Sequence, residues 1–268
     1  MKYSIFFILC MVLVSSCQQS KWGRVKDFID ATNNYDKSEI GSLLTDGFVY
    51  YGKDTLGKSD FLSRIDSLKS VECLSTIVKS QEIDSIVRTE EQICSIIDSL
   101  LEVKPKMIQM KSYRFSENKL ASITIDSTLY YDEYMNSLNE KMGALLFYIK
   151  DRYDVEDEKE ITNNIKKYLN EYVSLPTSDK KIYKICANLQ GTFVSKNCPY
   201  YRKLIFRGKK TATIVDAFWG MHFTSSFEID ENYIRVKTDK SDLLFEMKDN
   251  KTLIGEGFAK GTFTKTNK

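Results

Sequence analysis

The chain has 268 residues, of which 42% are hydrophobic and 28% charged, with only 12 glycines and 3 prolines. This composition excludes a disordered or low-complexity chain and supplies apolar material for one large domain or two moderate ones. The formal net charge of +2 is unevenly distributed, because residues 177–268 hold 17 basic and 10 acidic side chains.

The first 16 residues have the parts of an export signal. Met1 and Lys2 form a short positive start, residues 5–14 are an unbroken apolar run, and Ser15 and Ser16 are small. Ten apolar residues are too few to span a bilayer, which takes about 20. We therefore expect residues 1–16 to be a removed signal peptide.

The four residues from Val14 to Cys17 resemble the lipobox of bacterial lipoproteins. This resemblance implies cleavage before Cys17, lipid attachment to its thiol, including acyl chains such as palmitate, and a tether over residues 17–22. We expect a lipid-anchored protein of the bacterial cell envelope, at the outer membrane, with the periplasmic or surface face left open. An ordinary secretory signal that ends beside a cysteine is the alternative.

Residues 23–127 predict an α+β domain. Apolar side chains at helical spacing indicate helices near residues 22–29 and 61–68, and Asp36 with Glu39 indicates the start of a short helix between them. Strands are predicted at 74–87, 92–103, 107–115 and 120–125. Helices followed by a run of long strands are typical of an α+β domain.

The order of these elements resembles the cone-shaped NTF2-like and SnoaL-like family. The resemblance is carried by the predicted helices at 25–35 and 59–70, the segment Gly47–Gly52, and the closing segments 113–115 and 118–125. It implies helices on a curved antiparallel sheet with a pocket at the open end of the cone. Some members of the family are isomerases or cyclases with an Asp in that pocket, often beside a His or Tyr.

This region contains no histidine, which limits the catalytic options. Candidate bases are Asp46, Asp54 and Asp126, although each also suits a helix cap or a turn. Candidate ligand-binding residues of the pocket are three aromatic side chains that also suit an ordinary core or sheet: Tyr50, Tyr51 and Tyr113.

Residues 128–176 predict a helical connector, with apolar side chains at helical spacing on either side of an acidic interval at 151–160 and with Pro176 at its end. Such helices pack on a sheet, bridge two domains or bind a partner helix.

Residues 177–268 predict a small antiparallel β-barrel. From Leu189 onward short strands recur at the spacing typical of barrels, and Ile234 and Val236 alternate with Arg235 and Lys237. The opening segment 189–193 and the closing segment 255–263 resemble the bracketing strands of small lipocalin-like barrels in exported lipoproteins, which implies an apolar cavity.

An aromatic segment, residues 218–223, contains the only histidine of the chain, and Trp219 and His222 are candidate ligand contacts; a barrel core or rim is the alternative. Basic segments at 200–203 and 207–210 suit a solvated strand face or an anionic envelope surface. We expect no nucleic acid as a partner, because an envelope protein seldom meets it.

Four cysteines remain after Cys10 and Cys17 are set aside. Cys73 and Cys94 are not expected to meet if a hairpin turns near Glu90, so Cys186 and Cys198 are the better disulfide candidates. The sequence lacks a Gly-rich phosphate loop, a Gly-x-Ser-x-Gly elbow, a His-Glu-x-x-His pair and a Cys-x-x-Cys pair. We expect no cofactor and no metal, and we assign no catalytic residue from the sequence.

The sequence thus favours a non-catalytic module that binds a small apolar ligand or assists an envelope protein. One alternative is a SnoaL-like enzyme with an Asp base in the cone pocket. The other is a structural or assembly factor that holds a protein partner with its helices and barrel edge.

Overall fold

A computed structural model describes residues 20–239 and 241–266. The predicted signal peptide and the lipid attachment at Cys17 therefore lie outside the described residues. The chain forms two compact units, which divide between Ser137 and Leu138. Within the described ranges, no helix combines the length and apolarity that a membrane span requires.

The first unit has the expected α+β composition, with helices α1–α3 preceding most of the strands. Asp36 accepts a hydrogen bond from the Glu39 backbone N–H and so starts α2, as its sequence pattern predicts. The elements are α1 Lys21–Asn33, α2 Lys37–Leu43, β1 Leu44–Tyr51, β2 Thr55–Gly57, α3 Lys58–Ser70, β3 Leu74–Ile83, β4 Ile86–Cys94, α4 Ile96–Leu100, β5 Met107–Ser116 and β6 Lys119–Leu129.

These strands form one sheet in the order β2-β1-β6-β5-β4-β3. All neighbours are antiparallel except β1 and β6, which run parallel and place Tyr50 opposite Ile123. The sheet is therefore mixed, whereas the family resemblance implied an antiparallel one. Helices α1 and α3 supply Val25, Phe28 and Phe61 to a single core that they share with the sheet.

The strand predicted at 92–103 is wrong from residue 95 onward, because β4 ends at Cys94 and helix α4 follows. Ser95 accepts a hydrogen bond from the Asp98 backbone, and the Asp98 carboxylate accepts one from the Ser95 backbone, which is a capping box. Tyr134 donates to the other Asp98 oxygen at 2.9 Å. This local pairing satisfies the backbone without a partner strand.

The hairpin between β3 and β4 turns at residues 84 and 85 and not near Glu90. Asp84 has φ +54°, a left-handed conformation that suits a tight turn. The register consequently pairs Leu74 with Cys94, so Cys94 lies next to Cys73 in the register and not opposite residue 86. The turn near Glu90 that would have kept Cys73 and Cys94 apart is therefore wrong, and both cysteines are free thiols.

Helix α5, Tyr131–Tyr153, leads from the first unit into the second. Two more helices follow, α6 Glu158–Ser174 and α7 Thr177–Leu189, and Pro176 is the N-cap of α7. Helix α7 lies in the range predicted as barrel and was not expected. The three helices share a cluster of aromatic rings, in which Tyr148, Tyr172 and Tyr183 contact one another.

The expected antiparallel barrel is confirmed, and its strands begin at Gly191. Eight strands pair antiparallel around a closed ring in the order β10-β11-β12-β13-β14-β7-β8-β9. The strands are β7 Gly191–Ser195, β8 Tyr201–Arg207, β9 Thr211–Asp216, β10 His222–Asp230, β11 Tyr233–Val236, β12 Leu243–Asp249, β13 Thr252–Gly255 and β14 Gly261–Lys265.

Apolar side chains fill the interior of the barrel. Ile234 and Val236 point into it and Arg235 is exposed, as the predicted alternation requires. The centre is a packed core rather than the expected apolar cavity, and it includes Phe193, Phe206, Phe227, Phe245 and Phe263.

Cys186 and Cys198, the expected disulfide candidates, are both free thiols. Cys186 lies on α7 before β7 begins, and Cys198 lies beyond its far end. Five extended residues rise about 16 Å, whereas bridged cysteines have Cα atoms about 4.4–6.8 Å apart. The intervening strand therefore separates the two thiols.

Candidate functional site

A cavity of about 260 Å³ lies in the first unit, between helices α1 and α3 and strands β1 and β3–β6. Its walls are mainly apolar and aromatic, and Phe61 stacks with Phe28 at 6.0 Å between ring centroids. Tyr50 packs on the same Phe61 ring at 5.3 Å. The remaining apolar lining is Ile29, Leu68, Leu74, Ile93, Met107 and Ile123.

A buried carboxylate, that of Glu91, lies on the wall of the cavity. Its Oε1 accepts hydrogen bonds from Thr89 Oγ1 at 2.6 Å and from the Tyr113 hydroxyl at 2.5 Å. Its Oε2 accepts from Ser75 Oγ at 2.5 Å and from Lys111 Nζ at 2.7 Å. Four donors therefore hold one charged group, and the Lys111 ammonium balances its charge.

Strand register explains why these side chains meet. Thr89, Glu91 and Ile93 alternate along β4 and so share the face that carries Val87 into the core. The β4–β5 pairing sets Thr89 opposite Lys111, and the β3–β4 pairing sets Ser75 opposite Ile93. Partners that lie opposite each other point to the same face of the sheet.

The electrostatics of this group favour an ionised carboxylate. Burial by itself raises the pKa of Glu91, but the Lys111 charge and the hydrogen bonds from Lys111, Ser75 and Thr89 outweigh it, so its pKa is lowered. Burial, together with the Glu91 charge, raises the pKa of Tyr113 well above its ordinary value. Tyr113 is therefore a neutral hydrogen-bond donor near neutral pH.

Further donors line the same cavity. A lysine has three N–H donors, and Lys111 uses one of them to bond Glu91. Lys106 and the other lysines are not part of the cavity wall. The exposed Arg64 on α3 and the half-buried Gln109 on β5 also line it. Two cations against one carboxylate give the lining an excess of positive charge.

Asn33 joins α1 to β3 at the edge of this cavity. Its amide donates to the Ser75 carbonyl at 2.9 Å and accepts from the Ser75 backbone N–H at 2.8 Å. Because both ends of the amide are engaged, Asn33 fixes the wall of the cavity and offers little to a ligand.

Two of the three predicted pocket tyrosines line the cavity. Tyr50 and Tyr113 are on its wall. Tyr51 follows Tyr50 on β1, so it points to the other side of the strand, and it is 46% exposed.

None of the candidate aspartate bases lines this cavity. Asp46 is exposed and lies 3.4 Å from Lys58 Nζ. Asp54 is exposed at the turn between β1 and β2. Asp126 is an exposed residue on β6 that accepts a hydrogen bond from Ser112 Oγ. The structure instead brings together Glu91 and Lys111, which the sequence patterns do not single out.

Trp219 and His222, the candidate contacts of the second unit, lie at the connection between β9 and β10. Both side chains are exposed, Trp219 at 79%. They belong to the barrel rim rather than to its core.

No protein-family model and no curated protein sequence matches the chain. Among solved structures, an NTF2-like protein of unknown function from Cytophaga hutchinsonii is similar at 14% identity and TM-score 0.34, over 41% of this chain and 90% of that chain. An LEH-like epoxide hydrolase from M. tuberculosis is similar at 18% identity and TM-score 0.37, over 46% and 91%. A protein with a ketosteroid isomerase-like fold from Catenulispora acidiphila, in complex with trimethylamine, is similar at 13% identity and TM-score 0.36, over 43% and 92%. Each similarity covers less than half of this chain.

Proposed function

We propose that the protein is an envelope lipoprotein whose first unit binds a small molecule without transforming it. The observation that carries this proposal is the cavity of about 260 Å³ beside the Glu91–Lys111 pair. Apolar walls with a few placed polar groups are typical of ligand sites, and this volume is just below the common range of about 300–1,000 Å³. The ligand is therefore small.

The chemistry of the lining specifies the ligand class. Phe28, Phe61 and Leu68 favour an apolar body. The free donors of Lys111 and the guanidinium of Arg64 favour one acidic or hydrogen-bond-accepting group at its end. We expect a small amphipathic acid.

The state of Glu91 supports binding over catalysis. A general base works best when its pKa lies near the working pH and its oxygens can reach the proton that they remove. The Glu91 oxygens already accept four hydrogen bonds, and its pKa is lowered. The SnoaL-like enzyme alternative also loses support because Asp46, Asp54 and Asp126 lie elsewhere than on the cavity wall.

The anchoring part of the proposal is supported by the sequence alone. Val14 to Cys17 resembles a lipobox, and lipid on Cys17 would hold the protein stably at a membrane when more than one acyl chain is attached. The envelope location makes small molecules and proteins of that compartment the available partners.

Thermal stabilisation tests the ligand class, because a ligand that binds only the folded state raises the melting temperature. Straight-chain carboxylic acids of increasing length should stabilise the wild type more than the matching alcohols do. Leu68→Trp, which places a large ring at the cavity wall, should abolish the effect, whereas Leu62→Trp on the same helix but off the cavity should keep it. Stabilisation that survives Leu68→Trp would contradict the proposed site.

A further inference from the structure

Three connections at one end of the barrel carry a cluster of large apolar side chains, here called the aromatic rim. They link β7 to β8, β9 to β10 and β13 to β14, and in an antiparallel ring these alternate connections lie at the same end. Tyr200 joins them, because its ring lies 6.5 Å from Phe218 and 6.0 Å from Phe258. Phe218 in turn contacts Trp219 at 6.0 Å.

The rim is exposed to an unusual degree. Trp219 is 79% exposed, Phe218 67% and Phe258 63%, and Tyr200 and Met221 are about half exposed. Single exposed apolar side chains are ordinary, but a contiguous group marks an interaction surface. The neighbouring Phe223 at the start of β10 extends the group.

Backbone hydrogen bonds hold the rim in place before anything binds. The Asp216 side chain is 8% exposed and accepts hydrogen bonds from the backbone N–H groups of Phe218, Trp219 and Met221. Gly220 supplies the left-handed backbone, φ +68°, on which this turn depends. An ordered turn loses little conformational freedom on binding.

Cations flank the rings. Lys196, Arg202 and Lys260 are exposed on the same connections or next to them, and none has an ion-pair partner in the part of the chain that the structure describes. Glu256 is the exposed acid of these three connections, and the β11–β12 connection at the same end carries exposed Asp239 and Asp242, of which Asp242 pairs with Arg235. Free positive charge around an aromatic cluster complements a surface of negative charge above an apolar layer.

We propose that the aromatic rim binds the surface of a phospholipid bilayer that contains anionic lipid. Trp and Tyr favour the water–lipid interface because their rings are apolar at one end and polar at the other. Lys196, Arg202 and Lys260 then lie at the level of the anionic headgroups. The rings stand on separate connections and contact one another, which suits a planar surface better than an extended peptide. This inference concerns the barrel and is independent of the cavity in the first unit.

Tryptophan fluorescence tests the proposal directly, because Trp22 and Trp219 are the only tryptophans. The chain from Gln18 onward keeps every described residue and lacks the lipid, and Trp22→Phe leaves Trp219 as the sole reporter. Mixed with vesicles of phosphatidylglycerol and phosphatidylcholine that carry brominated acyl chains, its Trp219 emission should shift to the blue and be quenched. Added salt should weaken the binding.

Two variants complete the test. Phe218→Ser should raise the apparent dissociation constant about tenfold, since an immersed ring contributes about that factor. Tyr233→Ser, which follows the β10–β11 turn at the opposite end of the barrel, should leave the constant unchanged. Circular dichroism checks that both variants are folded.

Two results would overturn the inference. Trp219 emission that is unaltered by the vesicles would show that the rim does not enter a bilayer and would leave a protein as its partner. Equal binding to vesicles of phosphatidylcholine alone would show that the three cations do not contribute as proposed.

Discussion

The Glu91 group shows how one residue determines the character of the cavity. A carboxylate in a core is costly unless charge and hydrogen bonds compensate it. Here Lys111 supplies the charge, and Ser75, Thr89 and Tyr113 supply neutral donors. The Glu91 group therefore gives the cavity wall a polar part whose geometry is fixed by hydrogen bonds.

Glu91→Gln should destabilise the first unit by about 3–5 kcal/mol, because it leaves the Lys111 ammonium buried without its counter-charge. Urea denaturation measures this. Glu90→Gln is the matched control, since Glu90 lies on the other face of β4, 3.7 Å from the exposed Lys79, and surface pairs contribute only about 0–1 kcal/mol. Equal effects of the two changes would contradict the role assigned to Glu91.

The lowered pKa of Glu91 makes stability depend on pH in a defined direction. A carboxyl group with a folded-state pKa below its unfolded value of about 4.3 stabilises the protein above that value. This contribution is lost as the pH falls through the lowered folded-state pKa. The free energy of unfolding of the wild type should fall as the pH drops below about 5. It should fall more steeply than that of Glu91→Gln. If the free energy of unfolding, measured with urea, changes equally with pH in the two proteins, Glu91 is not ionised in the folded state.

Among the secondary-structure elements, helix α4 is one that the sequence patterns do not predict. The segment 92–103 is rich in apolar and small residues and was predicted as a strand, but a helix of five residues is too short to show helical spacing. Ser95 and Asp98, at the spacing of a capping box, were the signal that identifies it. Helix α7 was missed although its buried side chains follow helical spacing: Tyr183, Ile185, Cys186 and Leu189.

Ser95→Ala should cost about 1 kcal/mol, because it removes the N-cap of α4 and one donor to the buried Asp98 carboxylate. Urea denaturation of the first unit measures the change. Ser67→Ala, at an exposed position of α3, should be neutral or slightly stabilising, since alanine is the better helix former. A neutral Ser95→Ala would show that α4 does not depend on this cap.

At the scale of the whole molecule, the order of helices and strands and the closing barrel could be predicted, because local spacing and turn residues determine both. The pairing between segments that are distant in the chain could not be predicted from these patterns. The parallel contact of β1 with β6 and the register that sets Thr89 opposite Lys111 depend on residues far apart in the chain. The expected turn near Glu90 shifted that register, so Glu91 was not recognised as a cavity residue.

The proposed lipid anchor at Cys17 can be tested in the intact protein. Cys17→Ser should prevent lipid attachment and move the protein from the membrane fraction to the soluble fraction of the producing bacterium, because the lipid supplies the stable attachment. Mass spectrometry of the wild-type N-terminal peptide should show the added acyl mass on Cys17. A wild-type chain that retains residues 1–16 or lacks the lipid would contradict the anchor.

We propose that the cavity of the first unit holds a small molecule. This can be tested by native mass spectrometry of the protein isolated from the cell envelope, compared with the same sample denatured. We predict a mass excess that denaturation removes, that Leu62→Trp retains and that Leu68→Trp lacks. A wild-type protein of unmodified mass under native conditions, or an equal excess in Leu68→Trp, would contradict the claim.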